Sequence, residues 1–549
     1  MKKFTLCFIF LTILSQSMYS QQTIGLFQNE EESFEGYTLF ASTSYTSHYL
    51  IDNCGELVNE WPGQYRPGIA SYLEEDGFLY RAVRNPGGSF FGGGLGGEIE
   101  KVDWEGNIVW SYRYANNQVH QHHDLEVLPN GNVLILAWEA KGMQEAIDEG
   151  HDPSLEGAVW PEHIIEVEPV GVDEGNIVWE WHLWDHMVQS IDPQKPNFGA
   201  VEDHPELMDI NFKGNNASFV QADWIHANAI DYNPIRDEII ISSRHLSEIW
   251  IIDHSTTTEE AAGHSGGNAG KGGDFLYRWG NPRSYKRGST ADKKLFGQHD
   301  AHWIPEGLTD AGKIMIFNNG LDRPEGNYSS VDIIVPPIDS DGNYIISENE
   351  PYGPEELDWT YYPAEDDPSF FSKTVSGAQR LPNGNTLICQ GGNGILFEID
   401  ENKEKVWQYI CPVSNGGPMS QGIDPSGNGV FRAYRYDADY PALIGKDLTP
   451  GEVVELDPMI SVCDSTVSTV DVLSESVVKL FPNPVDLELH IQSEGGNVGK
   501  LKIVDPLGNV LLNKEVNSPR FIFPTIHLQE GIYFLMINEG EVRKFICKH

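Results

Sequence analysis

Positive charge is scarce in this chain. Of 549 residues, 36 are Lys or Arg against 82 Asp or Glu, a net charge of −46. That argues against a nucleic-acid binder, which needs a basic footprint to meet phosphates, and against a protein held on anionic lipid by a basic face. Cysteine is also scarce, six in all. No two of them form a C-x-x-C pair, which argues against a thiolate zinc site or a redox motif. Beyond the first twenty residues no stretch is long and apolar enough to cross a membrane as a helix. A phosphate-binding loop is lacking too: the Gly-rich segment Gly263–Gly273 contains Gly270-Lys271, but Gly272 stands where Ser or Thr is required and Ser265 where the opening Gly belongs. It reads as a surface loop, and no nucleotide dependence is indicated.

Turn and strand formers are abundant. The chain has 55 Gly, 32 Pro, 14 Trp and 22 Tyr, with 40% apolar residues. That suffices for a large core built of many short strands rather than long helices. Lys2 and Lys3 precede the apolar run Phe4 to Leu14 and the small, polar Ser15 to Ser20. Residues 1–20 are therefore expected to be a secretory signal peptide, leaving no membrane-spanning segment in the mature chain. Five cysteines follow it: Cys54, Cys389, Cys411, Cys463 and Cys547. One or two disulfides are compatible with an oxidising compartment, with the pairing open.

A repeat runs through most of the chain. A turn followed by a strand ending in Trp appears at Asp103 to Trp110 and Asp173 to Trp179, with looser copies ending at Trp61, Trp279, Trp359 and Trp407. A strand, Asn-Gly hairpin and second strand interleave with it at His123 to Leu136 and at Ser376 to Leu387. Further copies begin at His226 and His299, and weaker ones near Gly68 and Pro418. Asn-Gly supplies the positive φ of tight hairpins and Ile-Val-Trp is strand-forming. Each unit thus supplies four strands, a propeller blade, and both elements occur six times. The chain opens on the second half of a unit and closes on the first half of another. The expected fold is all-β: a six-bladed β-propeller over residues 21–462, closed by both termini. A Ser/Thr/Val linker over 463–476 and a small C-terminal β-sandwich over 477–549 follow.

The strand starting with the His-Asp or Ser-Gly element is the natural inner strand, facing the central channel. His123, His226 and His299 hold its first position in three units, Ser376 in a fifth. Period-two alternation puts Asn228 on the face of His226. Arg244 lies on the next strand of that unit, and Arg432 and Tyr434 follow the corresponding turn of the sixth. Imidazoles with one guanidinium suit a tetrahedral oxyanion such as sulfate or phosphate. A transition metal is the competing reading, since Asp124 and Asp300 neighbour two of the histidines, although alternation turns those carboxylates away from the channel. The insertion His182 to Ala222, with Trp184-Asp-His186 and Asp203-His-Pro-Glu206, is a candidate lid or funnel wall.

At residues 35–460 the chain resembles the bacterial arylsulfotransferases, through His123-Asp-Leu-Glu-Val-Leu-Pro-Asn-Gly-Asn132, Asp223-Trp-Ile-His-Ala-Asn228, Ser243-Arg244 and Gly297-Gln-His-Asp300. The resemblance implies sulfuryl transfer from a phenolic sulfate ester to a phenol through a sulfated histidine, with no nucleotide donor; no cofactor or metal is expected. It implies His299 as nucleophile, His123 as the upstream histidine, and His226, Asn228 and Arg244 as the sulfate-binding trio. His122 and His302 are the neighbours that register alone sets aside. The chain lacks the close cysteine pair of some members. From Leu480-Phe-Pro-Asn-Pro-Val485 through Val504-Asp-Pro-Leu-Gly508 and Gly531-Ile-Tyr-Phe534, the tail resembles the sorting domain read by the type IX secretion machinery. It implies a secreted or cell-surface protein. A sulfatase using water as acceptor and a non-catalytic binding or adhesion propeller are the alternatives.

Overall fold

Repeated turn chemistry sets the strands. At Asn130-Gly131 and Asn383-Gly384 the glycines have φ of +86° and +91°, and each hairpin is closed by a backbone bond, Leu128 N–H to Asn132 O and Leu381 N–H to Asn385 O. Only a residue without a Cβ enters that region freely. In the computed structural model the described residues are 22–549, without 155–157, 215–221, 363–368, 460–462, 464–477, 483–484, 494–496, 506–509, 530, 538–540 and 549. The expected signal peptide and nearly all of the expected linker lie outside them. Two compact units result, Met1–Cys463 and Asp464–His549.

The first unit is all-β. Antiparallel four-stranded meanders run over Pro67–Leu73 to Ile108–Arg113, Val119–Val127 to Glu174–His182, Ala227–Asn233 to Tyr277–Trp279, His299–Trp303 to Trp359–Tyr361, and Gly377–Arg380 to Lys405–Ile410. A parallel bridge between Ile69 and His123 joins the first two into one eight-stranded sheet. A further sheet draws on both ends of the unit: Val430–Tyr436 pairs with Tyr37–Ser42, followed by His48–Ile51 and Leu57–Trp61. The division is one strand to three, not the two halves the repeat suggested, because the segment before Val430 forms only the two-residue hairpin strands Val413–Ser414 and Gly417–Pro418. Gly25–Asn29 adds a fifth strand to the meander ending at Ile410, a second tie the sequence did not announce.

The apolar core lies between sheets. Tyr80 and Ile99 pack with Leu125 and Ile135 of the next meander, and corresponding clusters follow at each later junction. Leu39, Leu50 and Trp61 of the two-ended sheet pack with Leu73, Leu79 and Val102 of the first meander. Among the described residues one disulfide, Cys54–Cys463, links residues 409 apart; Cys389, Cys411 and Cys547 are buried thiols.

The second unit has a three-stranded sheet, Val478–Phe481, Glu488–Ser493 and Arg520–Pro524, and a four-stranded one made of Gly499–Val504, Val510–Val516, Gly531–Ile537 and Glu541–Cys547. Leu489, Ile491 and Phe523 of the first share a core with Leu501, Ile503, Leu535 and Phe545 of the second.

Candidate active site

Three first strands carry a bulge where the histidines stand. Pairing slips between Gln121 and Leu125, between Ala227 and Ala229, and between His299 and His302. His123, His226 and Asp300 have φ of 51°, 52° and 54° there, and Val375 and Ser376 also lie at positive φ. Such conformations are uncommon for residues with a Cβ, most of all for a β-branched one, and gather at functional sites. A bulge re-aims the side chains beside it. Here it delivers His123, His226 and His299, from three different meanders, to one cavity of about 420 Å³.

Arg244, His245, Asp223 and Val375 also line that cavity, and Phe91 and Trp160 stand beside the strap Gly92–Gly94. Gly94 has a φ of +70°, and a Cβ there would lie 2.1 Å from His123 Cε1. Only glycine lets the strap pass so close over the imidazole. Phe91 is 67% exposed and meets Trp160 edge-on at 5.2 Å.

The histidines are bonded in a defined way. His299 Nδ1 lies 2.7 Å from Asn319 Oδ1, and Val375 N–H donates to His299 Nε2 at 3.2 Å. Asn319 Nδ2 donates to the carbonyls of Ser372 and Val375, so its oxygen must face the imidazole. His299 therefore carries its proton on Nδ1 and a lone pair on Nε2. His226 Nδ1 bonds to Asp223 Oδ2, and its ring stacks on His245 at 4.5 Å and meets His123 edge-on at 4.6 Å. His123 Nδ1 lies 2.9 Å from His122 Nδ1. Arg244 Nε is buried with no hydrogen-bond acceptor among the described residues.

Burial dominates the electrostatics. Burial, with the charges of His226, His122, His299 and Arg244, holds His123 well below the ordinary histidine value. Burial and Arg244 do the same for His299. Both are neutral near pH 7. Burial also lowers Arg244 somewhat, but a guanidinium remains charged. Burial would raise Asp223, yet His226 and His245 outweigh it and hold the carboxyl below its usual range. The cavity therefore holds a guanidinium, the neutral imidazoles of His123 and His299 and the hydrogen-bonded His226–Asp223 pair, a surface with donors for an oxyanion.

The other expected residues stand elsewhere. Asn228 is fully buried in the wall, its Nδ2 donating to Gln298 O at 2.7 Å. It is the bulged residue, which is why alternation does not put it on the face of His226. Ser376 accepts Gly391 N–H and donates to Ser372 Oγ, anchoring the Thr374–Val375 turn. Arg432 is buried between Asp124 and Asp300, each at 2.9 Å, and also donates to Tyr72 Oη and Asn228 O. Tyr434 packs its ring against Tyr72 at 5.3 Å. The two aspartates thus face Arg432 and not the cavity. His302 Nδ1 turns to the carbonyl of Asp300, and His122 lies behind His123.

Of the described part of the insertion only Ala222 reaches the cavity; His186 is bonded to Asp274 and Ala261 O. The Gly-rich loop is spent on structure, Gly273 O accepting the Trp181 indole. Asp223, His226 and His245 bring ligand-type atoms within 4.8 Å; His226 Nδ1 bonds to the Asp223 carboxylate and His245 Nδ1 to its carbonyl, and Asp223 Oδ1 is buried with no hydrogen-bond partner among the described residues. Sequence reasoning missed Asn319, His245, the pairing of Asp223 with His226 and the Gly92–Gly94 strap. Three consecutive glycines after two phenylalanines were the available signal for the strap.

The chain matches the arylsulfotransferase (ASST) family over residues 26–424 and a secretion-system C-terminal sorting domain over residues 479–548. No curated protein matches it. Among solved structures it is similar to a protein of unknown function from Bacteroides caccae, 12% identical over 73% of this chain and 99% of that one, with a TM-score of 0.39. It is similar also to a virginiamycin B lyase from Staphylococcus aureus, 10% identical over 70% and 88%, TM-score 0.30. A third is the β-propeller domain of Cps50 (Swd1) from Myceliophteria thermophila, 9% identical over 71% and 90%, TM-score 0.34. These scores are too low to carry a functional reading.

Proposed function

The chain belongs to the arylsulfotransferase family, and from that premise we propose that it moves a sulfuryl group from a phenolic sulfate ester to a phenol through a sulfated His299, without a nucleotide donor. The observation that carries this reading is the convergence of His123, His226, Arg244 and His299 on one cavity. His299 Nε2 attacks sulfur with its lone pair; the N–S bond forms as the bond to the phenolic oxygen breaks. The weak contact from Val375 N–H yields as it does so. A neutral imidazole needs no base to activate it, unlike a serine hydroxyl. Sulfuryl transfer, like phosphoryl transfer, is expected to spread charge over peripheral oxygens. Arg244, with its unpartnered Nε–H, and His226 hold those oxygens. Such donors are worth about 2–4 kcal/mol each. Asn228 acts through the wall, fixing the carbonyl of Gln298 beside His299. His123 gives a proton to the leaving phenolic oxygen and recovers one from the incoming phenol. Phe91 and Trp160 offer the aromatic ring a flat apolar face.

On this reading the meanders of the first unit are the blades of a single six-bladed propeller and the second unit is a β-sandwich. The sorting domain supports export through the type IX machinery to the surface or medium. The test is product analysis with 4-nitrophenyl sulfate and excess phenol. Phenyl sulfate forming in step with nitrophenol supports transfer. Inorganic sulfate at the same rate with or without phenol makes the protein a sulfatase, and no turnover makes it a binding protein.

A further inference from the structure

Behind His123 lies a chain of groups that the transfer itself does not employ. His122 Nε2 is 2.9 Å from Glu162 Oε2, and His122 Nδ1 is 2.9 Å from His123 Nδ1. The other carboxyl oxygen, Oε1, accepts Ala227 N–H at 2.8 Å. Glu162 and His122 are both fully buried, and the His122 ring lies flat on Trp138 at 4.0 Å, which fixes its plane. A single hydrogen fits between the two facing Nδ1 atoms. Its direction is set by whether the carboxyl or the imidazole supplies the hydrogen between Glu162 and His122.

We infer that Glu162, His122 and His123 form a proton relay whose carboxyl end stores the proton that His123 gives to the leaving phenolic oxygen. It rests on the reading of His123 as acid and base above. In the resting state Glu162 Oε2–H donates to His122 Nε2, His122 Nδ1–H donates to His123 Nδ1, and His123 presents Nε2–H to the cavity. As the bond from sulfur to the phenolic oxygen breaks, His123 Nε2–H passes to that oxygen. His123 Nδ1 takes the proton of His122, and His122 Nε2 takes that of Glu162. The phenol leaves neutral and Glu162 is left as carboxylate. The incoming phenol drives the same three transfers backward as its oxygen attacks sulfohistidine.

The surroundings favour this storage site. Burial and the neighbouring Asp223 push the Glu162 carboxyl well above its usual range, whereas burial pulls His122 down to about 3. The proton thus rests on the acid and the imidazoles stay neutral. Asp223, His226 and Asp124 face His122, and His226, His299 and Arg244 face His123. Asp223 is engaged by His226, Asp124 by Arg432, and His299 by Asn319, so none of them interrupts the chain.

Glu162 and His122 are positioning residues, and the test separates relay from scaffold by leaving group. In E162Q the amide still donates to His122 Nε2 and accepts Ala227 N–H but has no proton to release. In the first half-reaction, read as a single turnover without acceptor, release of phenol from phenyl sulfate, whose phenolate is a poor leaving group, should slow about 100-fold, while release of 4-nitrophenol from 4-nitrophenyl sulfate stays within about threefold of wild type. Should E162Q not fold, His122→Phe keeps the stack on Trp138, cuts the chain and should give the same split. Equal losses on both esters, or no loss on either, would overturn the relay. A second readout needs no turnover: the infrared spectrum of resting wild-type enzyme near pH 7 should show a protonated carboxyl band that is absent from E162Q. Active wild-type enzyme without that band overturns the relay alone. Wild-type enzyme that turns over neither ester overturns the sulfuryl-transfer reading and the relay with it.

Discussion

His299 presents two chemically different nitrogens. Asn319 takes the proton on Nδ1 and leaves the lone pair of Nε2 toward the cavity. Asn319→Ala should therefore lower kcat about tenfold or more with little change in KM, because the wrong tautomer becomes accessible. A proportionate rise in KM with kcat intact would point to a binding role instead. Burial gives a second expectation. An ordinary histidine nucleophile would lose activity as pH fell through about 6.5. Since His299 and His123 are held well below that value, both stay neutral on the acid side. kcat/KM for the donor should be level between about pH 6 and 8, and a fall centred near 6.5 would contradict the assignment. His123, His226 and His299 were legible because they hold the same position in three repeat units, and Arg244 because it follows the strand paired with that of His226. Asn228 was not, because a bulge at that residue breaks the alternation used to place it. Arg432 read as a ligand contact, but two buried carboxylates from other meanders claim it, and no sequence pattern announces a pairing across the centre of a ring.

At the scale of the element, four of the six tryptophans that end the repeats donate to a backbone carbonyl beyond their own strand. Trp61 donates to Asp103 O, Trp110 to Glu174 O, Trp279 to Pro354 O, and Trp407 to Asn53 O. The last runs from the meander ending at Ile410 to the sheet built from both ends. Trp407→Phe leaves a backbone carbonyl without its donor and should cost about 1–3 kcal/mol in equilibrium unfolding. Trp359 instead lies under Arg380 and Lys403 and is partly exposed, so Trp359→Phe should cost clearly less. Equal losses would mean that ring size, not the tie, sets the energy. The tryptophans and Asn-Gly turns made the repeat readable, since both are local. The one-to-three sharing of the closing sheet was not readable. Whether residues near Pro418 form a strand depends on which neighbours are in place, and local propensity is silent on that.

For the whole first unit, closure rests on covalent as well as packing terms. Cys54–Cys463 spans 409 residues, so it restrains nearly the entire unfolded chain. Cys463→Ser should lower unfolding stability by about 2–5 kcal/mol, and reduction of the native protein should act alike. Unchanged melting in reductant would mean that packing alone holds the ends. Neutral buried histidines add a pH dependence. His48, His120, His122, His123, His245 and His299 have lowered values in the folded state. Below about pH 6.5 the unfolded chain takes up protons that these folded-state histidines refuse, so their own contribution to melting temperature should fall from pH 7 to 5. His182 and His254 are raised, as are the carboxyls of Glu74, Glu126, Glu162 and Asp231, and these act in the opposite sense.

Whether His299 carries the sulfuryl group decides the account most directly. The protein is mixed with 4-nitrophenyl sulfate alone, quenched, digested and read by mass spectrometry. A single added SO₃ on the peptide containing His299, absent in His299→Ala together with all turnover, is the predicted result. The group on His123 or His302, or full activity in His299→Ala, would contradict it.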